Sequence, residues 1–145
     1  MSGITVGIDG SAHSSRALEW ALKEAAVRHA PVTVLTVYPV AMNAWTGTPI
    51  ILPQDPADFE ESRLAAEEMT AKALSQLGDA QPSSVTVRAI SGFPAPELIE
   101  ASRTADLMVV GSRGGGGFGK LLIGSVSNQV VHHAHCPVVV VPAEW

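Results

Sequence analysis

The chain has 145 residues, of which 46% are apolar, so it can bury the core of one ordinary domain but is too short for two. This composition excludes an intrinsically disordered chain. A net charge of −5 argues against a general nucleic-acid binder or a binder of anionic membranes, because both attract positively charged protein surfaces.

The cysteine count and the short apolar runs predict the compartment. Cys136 is the only cysteine and cannot form an internal disulfide, which favours a reducing environment. The aliphatic runs are much shorter than the roughly 20 residues of a membrane span. Residues 1–5 have neither the basic nor the apolar segment of a signal peptide. We therefore expect a cytoplasmic protein that does not associate with membranes.

The first forty residues predict a strand, a helix and a second strand. The β-branched run Ile4–Ile8 indicates a buried strand that runs into a turn. Apolar residues at helical spacing predict a helix over residues 14–28, with Ser11 and Ser14 as candidate N-caps. Residues 32–37 then predict a second strand.

The middle of the chain predicts a long loop followed by an amphipathic helix. Residues 38–56 contain four prolines and few charges, so no regular element is expected there. Loops of this length in compact domains are often functional covers. Residues 57–77 predict a helix with apolar residues on its inner face and a run of glutamates facing water.

The second half alternates strands and helices. It predicts a strand over 85–90, a short helix over 96–103, a strand over 106–110, a glycine-rich stretch over 112–122, a helix over 125–134 and a last strand over 137–141. This alternation argues for an α/β fold with a parallel sheet covered by helices on both faces. In such open sheets, ligands bind beyond the carboxyl ends of the strands.

The glycine-rich stretch that follows the fourth predicted strand is the most informative part of the sequence. Glycines let the backbone approach a ligand closely, and successive free N–H groups can form a nest for an anion. The next helix is predicted to begin near Gly124, and its positive dipole end favours phosphate. Ser125 and Ser127 add hydroxyls that can meet phosphate oxygens or a phosphate-bound metal. The pattern is typical of a phosphate-binding loop.

Two general nucleotide motifs match this stretch only weakly. Gly114, Gly116 and Gly119 have the spacing of the dinucleotide fingerprint, but they follow the fourth strand and lack the later acidic residue. The stretch also resembles a P-loop, except that Leu121 stands where a serine or threonine must bind Mg²⁺. The stretch is therefore neither a dinucleotide fingerprint nor a P-loop.

A metal site is the alternative interpretation of the histidines near the end of the chain. His132, His133, His135 and Cys136 are of the types that bind Zn²⁺. His132 and His133 are adjacent on a predicted helix and point in different directions, and histidines also suit a helix C-terminus. We therefore predict no metal site formed by protein side chains alone.

A more specific pattern runs through the whole chain. Gly111-x2-Gly114-x9-Gly124-Ser125 resembles the signature of the ATP-binding branch of the universal stress protein family. The segments 8–11, 106–111, 122–126 and 135–141 also resemble that family, in the same order and at the same spacing. The resemblance implies one domain over residues 1–145. It also implies an open five-stranded parallel sheet in the order 3-2-1-4-5, a Rossmann-like fold similar to the adenine nucleotide alpha hydrolases.

The resemblance also implies a nucleotide site and a mode of assembly. The expected ligand is ATP with Mg²⁺ or Mn²⁺ bound through the phosphates. Asp9 matches the acidic residue beside the adenosine, Val37 matches the residue whose backbone meets the adenine, and Gly111 lies near the ribose. The implied binding positions are Gly7, Ile8, Asp9, Val37, Gly111, Ser112, Gly114, Gly124, Ser125, Val126 and Ser127. A homodimer is expected through the last strand, Val138–Val141, because a valine-rich edge strand tends to pair with another chain.

Three functions remain open at the level of sequence. The first is a nucleotide-dependent regulatory protein of the stress response that binds ATP. The second is a slow ATP hydrolase, for which no catalytic residue can be assigned, because Asp9 is implied to lie at the adenosine end. The third is a dimeric interaction module whose pocket is empty or holds a cyclic nucleotide. Two structural alternatives also stand: Asp9 as an ordinary turn residue, and the glycine stretch as a simple connection.

Overall fold

A sheet of five parallel strands organises the structure. The computed structural model describes residues 3–39, 41–42, 45–46, 49–50, 56–112 and 124–142, with the backbone alone for 41–42, 49–50 and 56–57. In chain order the elements are β1 (Ile4–Ile8), α1 (Ala12–Arg28), β2 (Pro31–Pro39), β3 (Ala41–Met42), β4 (Pro49–Ile50), α2 (Pro56–Ser75), β5 (Ser84–Gly92), α3 (Pro94–Ala101), a 3-10 turn (Ser102–Thr104), β6 (Leu107–Gly111), α4 (Ser125–His133) and β7 (Val138–Val141).

The strand order confirms the predicted topology. The sheet runs β5-β2-β1-β6-β7, and each neighbouring pair is parallel. Counting only these five strands in chain order, the arrangement is 3-2-1-4-5. None of the helices in the described ranges is long and apolar enough to cross a membrane.

Alternating side chains along the strands form one core on each face of the sheet. On one face, α1 and α2 cover a cluster that includes Leu18, Val34 and Val109. On the other face, Leu35 and Met108 lie in a second cluster with residues of α3 and α4. The period of two along β2 and β6 sends successive residues to opposite faces. Helices therefore cover both faces, as predicted.

Three local predictions were wrong. Residues 38–56 were expected to hold no regular element, but β2 extends to Pro39, and β3 pairs with β4 in an antiparallel bridge. These short pairings depend on backbone partners and leave no periodic sequence pattern. Ser14 is not an N-cap: Ser11 accepts a hydrogen bond from the Ser14 N–H at 3.2 Å, so α1 begins at Ala12. α3 begins at Pro94, two residues earlier than predicted, because proline suits the first helical turn.

The amino ends of β1 and β6 are joined by a reciprocal pair of hydrogen bonds. The Gly3 N–H donates to Oδ2 of Asp106, and the Asp106 N–H donates to the Gly3 carbonyl oxygen, each at 2.8 Å. Gly3 has a φ of +84°, and a Cβ at this position would overlap the carbonyl oxygen of Pro31. Only glycine fits here without strain, because the backbone is left-handed and the neighbouring strand leaves no room.

We predict that Gly3→Ala lowers the free energy of unfolding more than Gly10→Ala. The φ of Gly10 is +83°, but no atom lies within 4 Å of the position of a Cβ. Both variants should lose about 1–3 kcal/mol through backbone strain, and Gly3→Ala should lose about 1–3 kcal/mol more through steric overlap. Chemical denaturation measures both values, and equal losses would contradict the role assigned to Pro31.

Candidate functional site

The strand order predicts a ligand-binding crevice at the carboxyl edge of the sheet, between β1 and β6. These strands are neighbours, with Ile4 paired to Leu107 and Val6 to Val109. The chain leaves β1 for α1 on one face and leaves β6 toward α4 on the other. This is the point where the chain direction switches, and ligands in open parallel sheets bind at such points.

Asp9 lies at the β1 side of this crevice and forms a turn. Its Oδ1 accepts a hydrogen bond from the Ser11 N–H at 2.9 Å, and its own N–H donates to Oγ of Ser14 at 3.3 Å. The residue is exposed. Asp9 therefore acts as a turn residue, as the alternative interpretation of the sequence expected. The same turn holds its carboxylate at the carboxyl edge of the sheet. A ligand contact of Asp9 stays a prediction.

The ends of the glycine-rich stretch meet at its base. The Ser112 N–H donates to the Val141 carbonyl oxygen at 2.9 Å, and the Gly124 N–H donates to the Ser112 carbonyl oxygen at 2.6 Å. Gly114 and the rest of residues 113–123 lie outside the described residues. The N–H of Gly124, which sequence reasoning placed against phosphate, is thus already used to close the loop.

The first turn of α4 presents unpaired backbone N–H groups. Gly124 is the N-cap and provides no side chain to cap the helix, and the Asn128 N–H makes the first helical bond, to the Gly124 carbonyl. The three N–H groups between these two residues, those of Ser125, Val126 and Ser127, have no hydrogen-bond partner within the described part of the chain. Together with the positive end of the helix dipole, they favour an anion.

Ser127 connects α4 to the end of β6. Its side chain is buried, at 5% exposure, and its Oγ donates a hydrogen bond to the Gly111 carbonyl oxygen. This hydroxyl was expected to face phosphate or metal, but its proton is used inside the protein. Ser125, by contrast, is exposed. The Ser127 side chain therefore positions α4, and Ser125 is the hydroxyl left for a ligand.

Core packing explains the glycine at position 7. A Cβ on Gly7 would lie 2.8 Å from Cδ2 of Leu98, so the missing side chain lets α3 approach β1. Ile8 is buried in the core on the α1 side of the sheet. Both were predicted as nucleotide-binding positions. The Cβ position of Gly7 and the side chain of Ile8 both face the packed core. Any contact of these residues with a ligand would therefore have to be made by their backbone, near the end of the strand.

Val37 lies on the face covered by α3 and α4. It is half-buried against the cluster of Leu35 and Met108 and is paired with Ile90 of β5. The next residue, Tyr38, contacts Phe59 of α2 on the opposite face, with ring centroids 6.2 Å apart. The side chain of Val37 is therefore part of the core beneath α3 and α4, and a ligand contact of its backbone stays a prediction.

Sequence reasoning overlooked Glu97 of α3. A Cβ on Gly92, the last residue of β5, would lie 2.8 Å from Oε1 of Glu97. A carboxylate thus lies over the carboxyl end of β5, the edge strand that is separated from β1 by β2. A glycine at a strand end, five residues before a glutamate on the following helix, was the only signal in the sequence.

The histidine and cysteine residues near the C-terminal end do not assemble a metal site. No group of three histidine, cysteine or acidic side chains in the described ranges could hold a metal ion. Cys136 is half-buried, and burial raises the pKa of its thiol. A raised pKa disfavours the reactive thiolate.

The comparison with known families decides the identity of this fold. The model of the universal stress protein family matches residues 1–142. This chain belongs to the universal stress protein family. A universal stress protein of Mycolicibacterium smegmatis is 36% identical to it over 139 residues, which are 96% of this chain and 47% of that relative. The chain therefore spans about half the length of the curated relatives that it matches.

Solved universal stress proteins have the same fold. UspA from Lactobacillus plantarum superposes with a TM-score of 0.77 at 21% identity, covering 96% of both chains. A universal stress protein solved in complex with cAMP superposes with a TM-score of 0.65 at 26% identity, covering 98% of this chain and 97% of the other. The five-stranded sheet and its helices are thus the fold of the family.

We predict that Ser127→Ala lowers the free energy of unfolding by about 1–2 kcal/mol, because it removes the hydrogen bond that joins α4 to the Gly111 carbonyl. Ser125→Ala is the matched control in the same helical turn. Its exposed side chain should change stability by less than about 0.5 kcal/mol. Denaturant unfolding of the ligand-free protein measures both, and equal effects would contradict the positioning role of Ser127.

Proposed function

We propose that this universal stress protein binds ATP across the carboxyl edge of its sheet and acts as a nucleotide-dependent regulatory protein of the stress response. The observation that carries the proposal is the set of three unpaired N–H groups in the first turn of α4, beside the crevice between β1 and β6. Such a helix start binds phosphate through its amides and dipole. The cAMP complex of a related fold supports an adenine nucleotide as the ligand.

The nucleotide would lie with its phosphates at α4 and its adenosine toward β2. Ser125, Val126 and Ser127 would donate their N–H groups to phosphate oxygens. Gly111 and Ser112 would lie below the ribose, and Gly7, Ile8, Asp9 and Val37 would surround the adenosine. Gly124 would act by closing the loop base. Gly114 is retained from the family pattern alone.

Mg²⁺ or Mn²⁺ would enter this site with the phosphates. The described residues fit a phosphate tail, since the N–H groups of α4 are donors without partners. They provide one exposed hydroxyl nearby, that of Ser125, because the hydroxyl of Ser127 donates to Gly111. A bound divalent ion would neutralise phosphate charge, and Ser125 is the residue whose oxygen could meet it.

Ser125→Pro tests the amide contact with little change to the fold. Proline is tolerated at the first helical position, and Gly124 already has the extended conformation, φ −59° and ψ 157°, that precedes proline. This variant removes the N–H and the hydroxyl, whereas Ser125→Ala removes the hydroxyl only. We expect Ser125→Pro to weaken ATP binding by roughly tenfold or more, and Ser125→Ala to weaken it less.

Isothermal titration of nucleotide-free protein with ATP and Mg²⁺ measures these affinities, and thermal unfolding without ligand shows that both variants remain folded. The absence of binding by the wild-type protein would refute the function. Equal affinity of Ser125→Pro and the wild-type protein would refute the phosphate position.

The outer edge of β7, which pairs with no other strand among the described residues, supports a homodimer as part of the same proposal. β7 is the last strand of the sheet, and Val138, Val139 and Val140 are half-buried. The carbonyl oxygen of Pro137 accepts a hydrogen bond from Met108 of β6, and that of Val141 accepts one from Ser112, the residue after β6. Because the bonding direction alternates along a strand, the N–H and C=O groups of Val138 and Val140 face outward. Such an edge is a template for a second strand.

We expect the wild-type protein to be a dimer and Val140→Pro to be a monomer of near-native stability. Val140→Pro removes an outward N–H, and proline is tolerated at sheet edges. Val139→Pro is the matched control, because it removes an N–H directed at β6 and should lower the free energy of unfolding more. Light scattering after size exclusion, at micromolar concentration, measures the mass. A monomeric wild-type protein would contradict the dimer.

A further inference from the structure

A carboxylate lies at the carboxyl edge of the sheet, over the last residue of β5. Oε1 of Glu97 would be 2.8 Å from a Cβ on Gly92, and Cγ of Glu97 would be 3.0 Å away. The backbone of Gly92 is not left-handed, so its conformation does not require glycine. The missing side chain instead makes room for the carboxylate of Glu97.

The position of Glu97 is next to the end of β2, where the base is proposed to bind. Gly92 is paired with Pro39, two residues after Val37. Neighbouring strands lie about 4.8 Å apart, so Glu97 lies roughly one strand spacing beyond β2. The side chain is half-buried, and it forms no hydrogen bond or ion pair with another residue of the described ranges. Its oxygens can accept a hydrogen bond from a ligand.

The starts of α3 and α4 lie on the same face of the sheet but have opposite polarity. Both helices follow strands, pack against each other and begin at the carboxyl edge. α4 begins with three unpaired N–H groups. In α3, Pro94 and Pro96 have no N–H, and the N–H of Glu97 donates to the Phe93 carbonyl at 3.1 Å. The edge therefore has a donor end at α4 and an acceptor end at α3.

We propose that the carboxylate of Glu97 accepts a hydrogen bond from the exocyclic amino group of adenine and thereby makes the site select 6-aminopurines over 6-oxopurines. This inference rests on the proposed nucleotide binding. Hypoxanthine and guanine present a carbonyl oxygen at the same ring position, and an oxygen facing a carboxylate is repelled and leaves it unpaired. Donors at α4 attract the phosphates, and Glu97 fixes which base occupies the other end.

Glu97→Gln tests the inference, because an amide is close in shape to the carboxylate but can also donate to a carbonyl oxygen. The measured quantity is the ratio of the dissociation constants of ITP and ATP, each with Mg²⁺. This ratio cancels the general effect of removing a negative charge, since both ligands carry the same triphosphate. Glu100→Gln is the matched control, as Glu100 lies on the same helix and pairs with Arg103 at 2.9 Å.

We expect the wild-type protein and Glu100→Gln to prefer ATP by roughly tenfold or more, and Glu97→Gln to lose most of that preference. Wild-type binding of ATP and ITP with equal affinity would overturn the inference, and so would an unchanged ratio in Glu97→Gln. Either result would leave the proposed nucleotide binding intact. Binding of neither nucleotide by the wild-type protein would instead refute the proposed function, and the inference with it.

Discussion

Two hydrogen bonds hold the start of α4 against the end of β6, and the candidate site depends on them. Ser112 accepts from Gly124, and Ser127 donates to Gly111, while a third bond, from the Ser112 N–H to Val141, joins this end to β7. Together they close the base of a long segment and fix the direction of a helix that begins without a side-chain cap. A helix start held in this way can keep its N–H groups directed at a ligand without rearrangement on binding, which lowers the entropic cost of association.

These bonds also change which groups can bind phosphate. The glycine pattern suggests that flexible backbone between positions 111 and 127 supplies the donors. In the described part of that stretch, Ser112, Gly124 and Ser127 each use one donor to hold the fold, and the unpaired N–H groups belong to the first turn of a regular helix. Donors on a helix are fixed by its backbone bonds, so their geometry does not depend on ordering a glycine-rich chain, whose conformational entropy is high.

Sequence reasoning predicted the sheet well because strand and helix periods are local and strong. Ile4–Ile8 and the run around Val109 are aliphatic on both faces, and their alternation with helices leaves few possible topologies. The strand order itself, which puts Asp9 and Gly111 at one edge, was implied by the resemblance to the universal stress protein family. The roles of Gly7 and Ser127 could not be read in the same way, because they depend on contacts with Leu98 and Gly111 that only the packed fold creates.

The opposite polarity of α3 and α4 gives the crevice a direction, and it is the direction that the family pattern implies, with the phosphates at α4. Two helices that begin at the same edge would normally both attract anions, since both dipoles point their positive ends there. In α3, the two prolines remove donors and Glu97 adds negative charge, so a phosphate tail is disfavoured at that end. The sequence of α3 therefore leaves the start of α4 as the end of the edge that attracts an anion. A ligand with one anionic end and one amine-bearing end matches the edge in a single orientation.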